Sequence, residues 1–87
     1  MTPINPDRRR RSSLLATLWF APASTATVQH LRSELATVHN VLASADQVRG
    51  DLTWLQELGF VRLTQDTAQT TERGADVARG VAPWPGE

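Results

Sequence analysis

The chain contains no cysteine. Disulfide staples, thiol catalysis and a thiolate metal site are therefore excluded. No apolar run approaches the roughly 18 residues of a membrane span. The N-terminus lacks an apolar stretch followed by a small-residue cleavage site, so it does not read as a secretory signal, and a cytoplasmic protein is expected. A glycine-rich phosphate loop, paired histidines with a carboxylate at ligand spacing, and a nucleophile–base–acid triad are missing as well. A core of this size leaves little room for a pocket of roughly 300 Å³ or more. No catalytic residue, cofactor or metal is expected. Lysine is also absent, so any basic footprint must be built from arginine.

What remains is 87 residues, 40% of them apolar. One domain is the default at that length, and it buries roughly 60–65% of the surface of its unfolded chain. Nine arginines balance nine acids. The balance hides an asymmetry: residues 1–40 hold five arginines against Asp7 and Glu34, whereas residues 41–87 hold four against seven acids. A neutral domain lacks the global field that speeds encounter with nucleic acid, so a basic footprint must be local. The only dense one is Arg8, Arg9, Arg10 and Arg11.

Periodicity divides the chain. Residues 1–6, "MTPINP", read as a flexible arm. Asp7 is the expected cap of a first helix, with Leu14, Leu15, Leu18 and Trp19 on one apolar face and Pro22 as its end. A second helix is expected from the Ser24–Thr25 cap, with a stripe of Val28, Leu31, Leu35 and Val38, ended by Asn40. Ser44 caps a third, with Val48, Leu52 and Leu55 inward and Gly59 as a left-handed stop. Phe60 to Thr64 reads as a strand, 65–67 as a turn, 68–70 as a weak returning strand and 72–79 as a short helix ended by Gly80. The domain is thus expected over 7–80, with a proline-rich tail over 81–87. Leu14, Leu18, Val28, Leu31, Leu35, Val48, Leu52, Leu55, Val61 and Leu63 are the expected core.

Three helices followed by a hairpin is the order of a winged helix-turn-helix, a mainly α fold with a small β-hairpin, here with a three-helix core, a wing and a short C-terminal helix. The stretch "SADQVRGDLTWLQELGFV", residues 44–61, resembles the recognition-helix signature of the ArsR and MarR families. It has a capping serine, apolar positions at Val48, Leu52 and Leu55, then a glycine, an apolar residue and a valine opening the wing. "TTERGADV", residues 70–77, is similar to the Leu-Thr-x-x-Gly segment that follows the wing in such proteins. Thr70 stands where the leucine usually is, so the second wing strand is expected to pack poorly. The resemblance is closer still to small winged-helix proteins of Mu-like phages and prophages, which carry similar "DQVRGDL-WL" and "TERG-DVA-G" stretches. They cover about a third of the chain. The resemblance implies a DNA-binding protein, a phage or prophage transcriptional regulator or an accessory of DNA transactions, with double-stranded DNA as partner.

On that reading the outward side of the third helix offers base contacts through Gln47, Arg49 and Thr53, while Arg8–Arg11, Ser44 and Arg62 offer phosphate contacts. Gly50 would let a backbone approach closely. Asp46 and Asp51 oppose this, because they are expected to face phosphate. The competing reading is a non-catalytic protein-interaction module on a winged-helix scaffold, with a homodimer or a phage or host protein as partner. A positive stripe joining Arg8–Arg11, Arg49 and Arg62 would favour DNA. Scattered charge with an exposed apolar patch around Trp54 or Trp84 would favour a protein. Trp19 is expected in the core. Trp84 has two readings, an indole folded back on the domain or a partner anchor. His30 and Glu34 share a helix face and read as a solvated pair.

Overall fold

The computed structural model describes residues 5–86. Helix α1 spans Pro6–Phe20, α2 Val28–Thr37, α3 Ala45–Glu57 and α4 Glu72–Ala78. Strands β1 (Thr25–Thr27), β2 (Val61–Thr64) and β3 (Thr67–Thr70) form one antiparallel sheet in the order β1-β3-β2. Over the described residues the fold is α+β, four α-helices with a three-stranded sheet.

The first helix begins two residues earlier than its charge pattern suggests. Asn5, not Asp7, is the cap: its side-chain oxygen accepts from the Asp7 N–H at 2.9 Å, and Pro6 occupies the first helical position, where no N–H is needed. The expected arm therefore loses Asn5 and Pro6 to the domain, and its residues 1–4 lie outside the described residues. The second helix begins later than expected. Thr27 caps it, accepting from the His30 N–H at 3.1 Å, and the Ser24–Thr25 pair instead leads into β1. That strand was not anticipated, because three residues carry no measurable period. Ala26 lies opposite Ala68 in β3, and both are buried.

The ends of α3 are closed by local chemistry. Ser44 and Gln47 form a reciprocal capping box: Ser44 Oγ accepts from the Gln47 N–H at 3.0 Å, and Gln47 Oε1 accepts from the Ser44 N–H at 2.9 Å. At the other end Gly59 has φ +81°, as expected. The Phe60 N–H donates to the Leu55 carbonyl and the Gly59 N–H to that of Gln56, each at 2.9 Å. These are the two bonds of a Schellman cap, and they turn the chain directly into β2.

The core contains nine of the ten expected residues; Leu63 is only partly buried against it. Leu15, Ala26, Phe60 and Ala68 complete it. Val38 is not part of the stripe: α2 has ended at Thr37, and Val38 is 65% exposed. Trp19 is half-buried at the margin, its ring 4.7 Å from that of Phe20, rather than in the core.

Helix α4 is held against the start of β2 by a tight junction. The Thr71 N–H donates to the Phe60 carbonyl at 3.0 Å, and the Thr71 hydroxyl donates to the Gly59 carbonyl at 2.6 Å. A Cβ on Gly74 would lie 2.0 Å from the Phe60 carbonyl oxygen, so only glycine permits this approach. At Thr70 the hydroxyl oxygen is buried and finds no hydrogen-bond partner among the described residues. The strand nevertheless pairs through to Val61 opposite Thr70.

Candidate nucleic-acid interface

Helix α3 presents its outer side between α2 and the β2–β3 hairpin. Four of the expected contact residues, Ser44, Gln47, Arg49 and Thr53, lie on or at the cap of this helix, and Arg62 lies exposed on β2. Gly50 is open, with nothing within 4 Å of a Cβ placed there. Each of the four has an intramolecular partner. Gln47 and Ser44 hold one another in the capping box. The Thr53 hydroxyl donates back to the Arg49 carbonyl at 2.9 Å.

Arg49 is the centre of an exposed cluster. Its Nε and Nη2 reach the two carboxylate oxygens of Asp66, in the hairpin turn, at 3.1 and 3.3 Å, and its Nη1 lies 3.4 Å from Asp46. The fork geometry suits a guanidinium on a carboxylate. These bonds raise the Arg49 pKa, through the hydrogen bond to Asp66 first and its charge second, and they lower that of Asp66 for the reciprocal reason. The Asp66 carbonyl also accepts from the Val28 N–H at 2.8 Å. One turn residue thus ties the hairpin to both α2 and α3.

The arginine block divides. Arg8 and Arg9 are exposed on the first turn of α1. Arg10 and Arg11 turn inward and grip Asp51 of α3. Arg10 Nε donates to Asp51 Oδ2, Arg10 Nη2 to Oδ1 at 3.0 Å, and Arg11 Nε to Oδ1 at 3.0 Å. Asp7 adds a further contact to Arg10 at 3.0 Å. The hydrogen bond that Arg10 donates to Asp51 is the leading cause of a raised Arg10 pKa, against the opposing effect of burial. Asp51 is 2% exposed. The expectation that it faces phosphate is therefore corrected: it faces α1. Helical spacing held the signal, since Asp51 lies three residues after Val48 and four before Leu55, on the inward half of the helix.

Beside this buried cluster the two outer tryptophans meet. The Arg11 guanidinium sits 4.3 Å above the Trp54 ring, and the Trp84 ring lies 5.9 Å from that of Trp54 and 6.4 Å from that of Phe60. Trp84 is thus an indole folded back on the domain. Asn5, Arg8, Arg11, Trp54, Trp84 and Pro85 line one small crevice. Both tryptophans are half-buried, so the exposed apolar patch that would favour a protein partner does not lie here. Among the described residues the large exposed apolar side chains are Phe20, Val38, Leu42 and Val81.

The remaining candidates are placed as follows. His30 Nε2 and Glu34 Oε1 stand 4.0 Å apart, both partly exposed. His39 Nε2 is hydrogen-bonded to the Thr17 hydroxyl at 2.9 Å. Among the described residues no three histidine or acidic side chains stand together as a metal site. No helix among them is long and apolar enough to cross a membrane. No protein-family model, curated protein or solved structure matches the chain.

Proposed function

We propose that the chain is a winged-helix DNA-binding module of the kind its α3 and α4 sequences resemble, a cytoplasmic regulator or DNA-transaction accessory of a phage or prophage. One observation carries this reading: the element order α1-β1-α2-α3-β2-β3, with the sheet ordered β1-β3-β2, leaves the side of α3 bearing Gln47, Gly50 and Thr53 exposed beside a short hairpin. In such folds that helix enters the major groove and the hairpin flanks it.

Arg49 would read a guanine by the fork it now offers Asp66. Binding would therefore exchange one bidentate partner for another, and Asp66 and Asp46 would compete with the nucleic acid for the guanidinium. Such competition weakens all sequences but penalises least the one that satisfies Arg49 fully, which favours discrimination over affinity. Arg9 and Arg62 would supply phosphate contacts. Arg10 and Arg11 would act indirectly, by fixing the first turn of α1 against α3.

Fluorescence anisotropy with cognate and random duplexes, titrated with salt, tests this. Arg49→Ala is expected to weaken specific binding by roughly 1–3 kcal/mol, and Arg9→Ala to weaken all duplexes alike and reduce the salt slope by about one unit. Asp66→Asn, which releases Arg49, is expected to strengthen binding. If neither the wild type nor Asp66→Asn binds any duplex at about 50 mM salt, where phosphate contacts are strong, the DNA reading fails. The alternative is a non-catalytic protein-interaction module on the same scaffold. It is favoured by the intramolecular pairing of Arg10, Arg11 and Arg49 and by the exposed Phe20 and Val38.

A further inference from the structure

A cleft of about 410 Å³ opens where β2 and β3 meet the start of α4. Arg62 of β2 and Arg73 of α4 both line it, and both are exposed. Among the described residues neither stands within ion-pair distance of a carboxylate, whereas Arg10, Arg11, Arg49 and Arg79 each do. Arg62 lies directly opposite Gln69 in the β2–β3 register, so the two side chains are neighbours on the outer face of the sheet. Arg73 is held from behind. Its guanidinium lies 5.7 Å from the centre of the Phe60 ring, and its stem passes Gly59, where a Cβ would stand 3.7 Å from Arg73 Cδ. Part of the freedom of this long side chain is thus lost before any ligand arrives.

We propose that this cleft binds a phosphate group, gripped between Arg62 and Arg73. Two guanidinium forks without a counter-charge need an anion that both can approach. A planar carboxylate presents its two oxygens to one fork. A phosphate directs its oxygens tetrahedrally, so two forks and the Gln69 amide can reach it from different sides. Glu72 also lines the cleft, and with the two arginines it leaves a net charge of +1. That complements the single negative charge of a phosphodiester. A nucleic-acid backbone is therefore the expected source, and a free phosphate is the other. The first source rests on the DNA reading and adds Arg73 to the contact proposed there for Arg62. The affinity of the cleft for phosphate does not rest on it.

NMR of the arginine Nε–Hε groups of the full chain tests this in two arms, inorganic phosphate and a short DNA duplex, each against chloride at equal ionic strength. Phosphate is expected to move the Arg62 and Arg73 signals together, with one shared dissociation constant. Arg79, already paired with Asp76, should not move. Arg73→Gln should weaken the Arg62 response roughly tenfold, the loss of one charge-assisted bond. Glu72→Gln should tighten it by about two- to fivefold, the usual scale of an exposed charge. A duplex that displaces phosphate from both signals assigns the cleft to the nucleic-acid backbone. A phosphate response that no duplex disturbs assigns it to a free phosphate. Absence of any duplex binding beside an intact phosphate response sinks the DNA reading alone. No saturable response of Arg62 and Arg73 to phosphate or duplex overturns the proposal, even where the duplex binds through α3. So does an Arg62 response that Arg73→Gln leaves unchanged.

Discussion

Helix α3 carries two arginine–aspartate clusters of similar chemistry on different sides. On one side Arg10 and Arg11 of α1 grip Asp51; on the other, Arg49 holds Asp66 and Asp46. The difference is water. Asp51 is removed from solvent, so its charge must be satisfied within the protein, and three guanidinium N–H groups do so. Asp66 remains in solvent, and its bonds to Arg49 can be exchanged for water or for a ligand with little net loss. Equal geometry therefore gives a fixed joint between helices in one place and an exchangeable one in the other.

The sharpest way to break the comparison is Asp51→Ala. Leaving two partly buried guanidinium groups without their carboxylate is expected to cost about 3–5 kcal/mol in urea unfolding, the range for truncating one side of a buried pair. A loss below about 1 kcal/mol would mean that the joint is as exchangeable as the outer cluster. Replacing Arg10 and Asp51 together, by Met and Leu, should recover most of that loss, since an apolar pair needs no desolvation of charge. Trp84→Ala should cost less, about 1 kcal/mol, for the lost packing on Trp54 and Phe60. An unfolding midpoint equal to that of the wild type would show that the tail does not brace the joint.

The smallest effect belongs to the outer cluster. Arg49→Ala should leave the unfolding midpoint nearly unchanged. It should, however, return the Asp66 carboxyl to its ordinary 3.8, followed by NMR titration. In the wild type this pKa is depressed. The pair's contribution is therefore present above the unfolded value and is lost as pH falls below 3.8 through the folded one. An Asp66 that titrates identically in both proteins would remove the cluster.

The long elements were legible because their apolar residues repeat over three or more turns. Val48, Leu52 and Leu55 marked the inner side of α3, and Gly59 marked its end. What escaped was short or long-range. Strand β1 has three residues and exists only because Gln69, Ala68 and Thr67 pair with it. Asp51 looked like a surface charge because its partners lie about forty residues earlier in the chain. A helix turns 100° per residue, so four consecutive arginines could not share one face; that Arg10 and Arg11 turn to the α1–α3 joint depends on Asp51, which the local pattern does not contain. Gly74 was visible as a motif position, but the Phe60 carbonyl that requires it was not.

The crevice formed by Asn5, Arg8, Arg11, Trp54, Trp84 and Pro85 has a kinetic consequence. It joins the first turns of α1 to a segment more than seventy residues away, almost the greatest separation the chain offers. Closing so large a loop costs conformational entropy that grows with the logarithm of its length, and little is gained until the intervening helices are in place. The crevice is therefore expected to close last in folding and, since a half-buried indole is what holds it, to open first. Amide hydrogens near Trp84 should exchange by this local opening, well before those beneath Leu52 and Leu55 yield to global unfolding.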